Sequence, residues 1–357
     1  MRSKATEKAV EGTARGKVIL FGEHAVVYGV PAIAVGIDRG VRAWSTPSVD
    51  NVSSLRVGTW NLTVREDGKL PIARAFRDLL LVTRQSGAAV DAVTVNADVE
   101  LPPGGGLGSS AALGVAVARA LDPGAPGSAI AERANVWECV FHGNPSGIDT
   151  AVSALGGCVL FERSARVEAN DDEREYGGHP FGPVAGSGVR SRTLAPNISR
   201  IRVPGAMHLC VGHSGKASST RSMVEAVARL RERQPAATQR AFDAIRVIVK
   251  DARVAIEAAD RPALGQLLDQ NQTLLSELLV STPEVETMCR SARVAGALGA
   301  KLTGAGGGGS VVALVDNQDI GARVLSAWKR EGFEGFLTTF GASVQGACGP
   351  ALLEGAA

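Results

Sequence analysis

The residues of this sequence whose types and spacing are suited to chemistry start with Pro102-Pro103-Gly104-Gly105-Gly106-Leu107-Gly108-Ser109-Ser110-Ala111-Ala112. Glycines without a Cβ let successive backbone N–H groups converge on an anion, and a helix opening at the serines would add the positive end of its dipole. The two hydroxyls would then stand where a metal ion on bound phosphates needs oxygen ligands. A tight connection into a helix, with no ligand, has the same composition, so the loop by itself leaves both readings open.

Four further segments add to it. Gly16-Lys17-Val18-Ile19-Leu20-Phe21-Gly22-Glu23-His24 sets a lysine at the entrance of an apolar strand and an acid-histidine pair just past its end, facing either a cleft or solvent. On a helical run through Ala129 and Phe141, Glu138 stands beside the apolar stripe of Ile130, Ala134, Trp137 and Phe141. A carboxylate there calls for a metal ion or a lysine if buried, or is a rim group in a surface ion pair. His142-Gly143-Asn144-Pro145-Ser146-Gly147-Ile148-Asp149 is a breaker-rich turn that aims Asp149 at the start of the next element. Asp149 is either an ordinary helix-start acid or a general base for a hydroxyl held beside a cation. Lys301-Leu302-Thr303-Gly304-Ala305-Gly306-Gly307-Gly308-Gly309-Ser310 contains four adjacent glycines, the mark of backbone packed closely on a ligand or another loop.

The elements that must position these groups follow from periodicity. Strand character covers 16–22, 32–37 and 93–99, with shorter runs at 41–45, 55–57 and 60–64, and returns at 157–162, 206–212 and 310–315. Helical spacing covers 71–85, 111–121, 129–142, 219–233, 236–259, 261–279, 284–299 and 318–331. Residues 166–200 are acidic, glycine-rich and without a period, which predicts a long surface loop or an interdomain connection. This order of elements predicts two α+β domains.

Composition narrows the class. The 357 residues are 45% hydrophobic, enough for about two domains with buried cores. Lys and Arg number 38 against 36 Asp and Glu, so no basic field argues for nucleic acid or an anionic membrane surface. No run approaches the length of about 18 apolar residues that a membrane span requires, and the first residues lack the apolar core of a secretory signal. The five cysteines are scattered without a paired spacing, which fits a reducing cytoplasm and buried, unreactive thiols.

Taken as an ordered set, the Gly-Lys strand with Gly22-Glu23-His24, the Pro-Pro-Gly-Gly-Gly-Leu-Gly-Ser-Ser loop, the Asn-Pro-Ser-Gly-Ile-Asp turn and the Lys-Leu-Thr-Gly-Ala-Gly-Gly-Gly-Gly run resemble the GHMP kinase superfamily, and within it the branch that phosphorylates mevalonate. The resemblance spans residues 14 to about 315. It implies an α+β, two-domain fold, with a ribosomal-protein-like N-terminal domain over 1–200, a ferredoxin-like C-terminal domain over 201–357, and the active site in the cleft between them. It also implies ATP as co-substrate, Mg2+ as cofactor, and mevalonate as the small molecule phosphorylated on its 5-hydroxyl; a cytoplasmic homodimer is compatible with it.

Position by position, the resemblance implies that Pro103, Gly104, Gly105, Gly106, Leu107, Gly108, Ser109 and Ser110 wrap the triphosphate, and that Ser110 and Glu138 hold the metal. Asp149 and Lys17 are implied as the catalytic pair, with Lys17 favouring alkoxide character on the attacking oxygen. Glu23, His24, Thr220 and Ala305 are implied at the acceptor, together with Lys17 and Asp149. Arg15 stands where relatives usually have proline, and Gly105 replaces a commoner alanine. The 166–200 stretch is longer than in many relatives. Sister kinases of phosphomevalonate, galactose or homoserine are the alternatives, although galactokinases continue their Gly-Glu-His toward Thr-Asp where this chain has Ala25-Val26-Val27. The superfamily's ATP-dependent decarboxylases typically lack the lysine and the metal glutamate, and a non-catalytic sensor would not need the intact set.

Overall fold

The computed structural model describes residues 10–102, 105–142, 145, 147–162, 197–216 and 219–341. Pro103 and Gly104 of the glycine loop, Cys348, and residues 163–196, most of the anticipated 166–200 loop, lie outside the described residues.

In chain order the first part comprises β1 (Val10–Phe21), β2 (Ala32–Pro47), β3 (Ser54–Val57), β4 (Leu62–Arg65), α1 (Pro71–Gln85), β5 (Val93–Val99), α2 (Ser109–Leu121), α3 (Gly127–His142), α4 (Ile148–Leu155), β6 (Cys158–Glu162) and β7 (Asn197–Ile201). Six strands lie in the order β4-β3-β5-β2-β6-β7, and β1 also pairs with β2. Only β3 and β5 run parallel. β2 is long enough to pair with β1 along most of its length, with β6 at its start and with β5 at its end. The register of β1 on β2 shifts between Arg15 and Lys17, a bulge that re-aims the lysine next to the glycine loop.

The second part comprises β8 (Met207–His213), α5 (Thr220–Arg233), α6 (Pro235–Glu257), α7 (Arg261–Glu277), α8 (Pro283–Val294), β9 (Gly299–Thr303), β10 (Ser310–Val315), α9 (Gln318–Arg330) and β11 (Glu334–Phe340). Its sheet is antiparallel throughout, in the order β11-β8-β10-β9. The four helices starting at Pro235, Arg261, Pro283 and Thr220 have N-terminal signals in the sequence: α6, α7 and α8 carry Pro in the first turn, and the Ser219, Asp260 and Thr282 side chains accept from backbone N–H groups of α5, α7 and α8.

α2 owes its place to composition. Its Ala, Leu, Val and Gly residues are buried nearly all round, and it packs on β1, β2, α1, α3 and α4 at the centre of the first part. Gly114 lets it approach Trp137 of α3, because a Cβ there would come within 2.9 Å of the indole. No helix among the described residues is long and apolar enough to cross a membrane.

The structure departs from the periodicity at several points. The runs at 32–37 and 41–45 are one strand, interrupted in hydropathy only where Asp38 and Arg39 leave the core to meet the second part. β7 occupies residues 197–201, the end of the stretch read as loop, because it completes an edge whose partner lies far back in sequence. The helix read to 299 stops at Val294; Gly296 then takes φ 106°, and Gly299 begins the buried strand β9. β9 and β11 were not anticipated as strands. β9 runs into the Lys301 motif and is fully buried, so it has no alternation to read.

The two sheets meet along β2 and β11. The Asp38 backbone N–H donates to Thr338 Oγ1 at 3.2 Å, the Thr338 hydroxyl donates to the Asp38 carboxylate, and the Arg39 guanidinium lies 4.0 Å from the Phe336 ring centre.

Candidate active site

A cavity of about 550 Å³ opens between the two parts. The end of β1 and the turn after it, the glycine loop entering α2, the end of α3, the start of α4, the N-terminus of α5 and the glycine run between β9 and β10 form its walls.

Lys17 is the centre of this arrangement. Its side chain is 3% exposed, and its ammonium lies 3.0 Å from Asp149 Oδ1 and donates to the Gly106 carbonyl at 3.2 Å. Its own backbone N–H donates to the Leu107 carbonyl at 2.9 Å, so β1 and the glycine loop are joined at this residue. Asp149, on the first turn of α4, remains about one-third exposed to the cavity. Gly108 closes the loop in the left-handed region at φ 73°, where a Cβ would come within 3.0 Å of Lys17 Cγ.

Beside this pair, Ser110 Oγ donates to Glu138 Oε1 at 2.5 Å, and Trp137 Nε1 donates to Ser110 Oγ at 3.2 Å. Glu138 is 3% exposed, and burial pushes its carboxyl up to about 7 despite the opposing effect of the Ser110 hydrogen bond. His142 Nε2 lies 3.5 Å from Glu138 Oε2, and burial holds the imidazole below its ordinary range. An oxygen pair of one carboxylate and one hydroxyl suits a hard divalent cation that takes its remaining oxygens from phosphates and water. No group of three or more His, Cys, Asp or Glu that could by itself hold a metal ion gathers anywhere among the described residues.

On the same cavity wall, His24 sits at φ 57°, a strained conformation for a non-glycine residue. Its Nε2 is 2.8 Å from the Ala305 carbonyl. A carbonyl only accepts, so Nε2 carries the proton and Nδ1 is left as an acceptor, buried and without a partner among the described residues. Burial lowers the His24 pKa, which favours this neutral form. Ala305 and Thr220 line the same cavity.

The structure thus brings together Lys17, Glu23, His24, Gly105, Gly106, Gly108, Ser109, Ser110, Glu138, Asp149, Thr220 and Ala305 around one cavity. Leu107 is buried beneath the loop and takes part through its carbonyl. Glu23 also reaches the cavity wall, but its two oxygens are engaged from behind by Lys301 and Asn271.

Sequence reasoning passed over several cavity residues. Arg221 follows Thr220 and His142 opens the turn that leads to Asp149, so both were legible as charged or titratable neighbours of the site residues. Trp60, Ile72 and Phe141 form an apolar side of the cavity with Trp137, and Trp60 and Ile72 arrive only through tertiary folding. The four-glycine run is packed against loops, as expected: Gly307 N–H donates to the Val280 carbonyl and Gly309 N–H to the Lys216 carbonyl, each at 2.7 Å. Of the cysteines, Cys158, Cys210 and Cys289 are free and buried, whereas Cys139 is exposed.

The family descriptions "GHMP kinases N terminal domain" and "GHMP kinases C terminal" match residues 72–157 and 252–334. The mevalonate kinase of Methanothermobacter thermautotrophicus is 34% identical over 306 residues, spanning 84% of this chain and 88% of that protein. The mevalonate kinase of Thermococcus onnurineus is 32% identical over 331 residues, spanning 85% and 89%. Among solved structures, L. major mevalonate kinase in complex with R-mevalonate superimposes with a TM-score of 0.71 at 29% identity, covering 95% of this chain and 97% of that one. With relatives this similar over nearly its whole length, the chain belongs to the GHMP kinase family, on its mevalonate kinase branch.

Proposed function

We propose that this protein transfers the γ-phosphoryl group of ATP to the 5-hydroxyl of mevalonate, with Asp149 as the base and Lys17 beside it. The observation that carries the reading is the 3.0 Å contact between the buried Lys17 ammonium and the cavity-facing Asp149 carboxylate, at the mouth of the glycine loop. Asp149 accepts the hydroxyl proton as the acceptor oxygen bonds to the γ-phosphorus, and the bridging oxygen leaves with ADP. Lys17 offsets the negative charge developing on the attacking oxygen. The Gly105–Ser110 loop cradles the phosphates with backbone N–H groups at the start of α2.

Ser110 and Glu138 would hold Mg2+, which when bound neutralises phosphate oxygens and orients the triphosphate. The acceptor end is assigned to His24, Thr220 and Ala305, with Glu23 behind His24, and Arg221 adds positive charge where an acceptor carboxylate or a phosphate has to be held. A division near residue 200 accords with two sheets that end at Ile201 and begin at Met207. A reducing, cytoplasmic setting accords with the buried free thiols, whose pKa values burial pushes up to about 12.

The test is ADP release measured across mevalonate, phosphomevalonate, diphosphomevalonate, galactose and homoserine. Turnover with mevalonate, without carbon dioxide, is expected; turnover confined to another acceptor would overturn the substrate assignment.

A further inference from the structure

A buried charged cluster backs the cavity wall at Glu23. Lys301 on β9 and Glu23 in the turn after β1 form an ion pair whose two side chains are fully buried. Asn271 of α7 donates to the other Glu23 oxygen at 3.3 Å, and the Lys301 ammonium also donates to the Leu302 carbonyl at 2.6 Å. Neither Lys301 nor Asn271 lines the cavity. The pair joins the two halves of the molecule across 278 positions of sequence.

Its neighbours show what it holds. Two residues along β9, the Thr303 hydroxyl bridges the Ile19 backbone, accepting from its N–H at 2.9 Å and donating to its carbonyl at 3.0 Å. Two residues further, the Ala305 carbonyl accepts from His24. The segment 301–305 therefore runs beside 19–24, and Glu23–Lys301 and His24–Ala305 are adjacent ties. His24 occupies its strained φ of 57° between them. Strained residues persist only where surrounding contacts over-determine them.

We infer that Lys301, with Asn271, is a positioning residue for the acceptor: it grips Glu23 from the second half of the molecule and so fixes the His24 ring and the Ala305 carbonyl against each other at the acceptor end of the cavity. Glu23 then acts through the turn it anchors, and not as a substrate ligand. The inference rests on the phosphorylation of mevalonate proposed above, in which this end of the cavity takes the acceptor and the glycine loop takes the nucleotide.

The experiment is steady-state kinetics on the full chain for the wild type, Lys301→Met, Asn271→Leu and the double variant Glu23→Gln/Lys301→Met, with KM for mevalonate and for ATP determined separately and melting temperatures recorded alongside. A buried charge stripped of its partner disturbs its surroundings more than the loss of both charges. Lys301→Met is therefore expected to raise KM for mevalonate by about tenfold or more and the double variant by less, with KM for ATP within about twofold of the wild type. Asn271→Leu, which removes a neutral partner, is expected to raise the mevalonate KM about threefold. If Lys301→Met fails to fold, the Asn271→Leu comparison decides by itself.

A mevalonate KM unchanged in folded variants, or mevalonate and ATP constants that rise together, would overturn the inference. A wild-type protein that turns over some other acceptor instead would overturn the substrate assignment, and is seen before any variant is measured.

Discussion

Glu138 binds a proton more readily than an ordinary carboxylate because it is buried with one hydroxyl as its close polar partner, and its pKa is pushed up to about 7 from 4.5. A raised carboxyl pKa means that the folded state holds a proton the unfolded chain has released. The stability it contributes is complete below about 4.5 and is lost as pH rises through about 7. In metal-free protein, the melting temperature of the wild type is therefore expected to fall between pH 5 and 8 relative to Glu138→Gln; parallel curves would contradict the burial account. With Glu138 as the proposed Mg2+ ligand, the same substitution also removes an anionic ligand. It is expected to raise the Mg2+ concentration for half-maximal turnover by about tenfold or more, measured by titrating the metal at fixed ATP.

The glycine loop depends on short-range features of three elements: the end of β1, the loop itself and the first turn of α2. Gly108 has φ 73° and stands against the Lys17 side chain, so its backbone conformation and the lysine's position are one constraint. Gly108→Ala sets a methyl group within 3.0 Å of Lys17 Cγ and strains the backbone by about 1–2 kcal/mol. The expected result is a modest loss of stability in urea denaturation and a fall in kcat of about tenfold or more, since Lys17 is displaced from Asp149. Unchanged kcat would show that this loop conformation is not needed. In the second glycine segment, Gly306 has φ 72° and a Cβ there would lie 2.2 Å from the Val280 carbonyl. The glycine run is thus shaped by packing on a neighbouring turn as well as by any ligand.

At the scale of the whole molecule, the proposed catalytic pair Lys17 and Asp149 comes from the first part, and the second part completes the cavity with α5 and the 304–309 run. Much of this was legible in the sequence because the groups sit in short motifs whose glycines, serines and charges have local physical reasons. Lys17, Ser110, Glu138 and Asp149 converge as the ordered motifs implied. The Lys301–Glu23–Asn271 cluster was not legible, because a lysine inside a glycine motif gives no sign that it will be fully buried against an acid 278 positions away. Trp60 and Ile72 escaped for a related reason: they reach the cavity wall through tertiary folding, and no local pattern marks them. β9 and β11 escaped because a strand's pairing partners, and not its own periodicity, decide it when both faces are covered or the strand lies at an edge. Asp149 is proposed to take the acceptor proton beside Lys17. The most direct test of this assignment is Asp149→Asn, assayed for mevalonate-dependent ADP release and, separately, for ATP binding by calorimetry. The expected result is a fall in kcat of about 10²–10⁴-fold with ATP affinity within about threefold of the wild type; near-normal turnover in the variant would rule out Asp149 as the base.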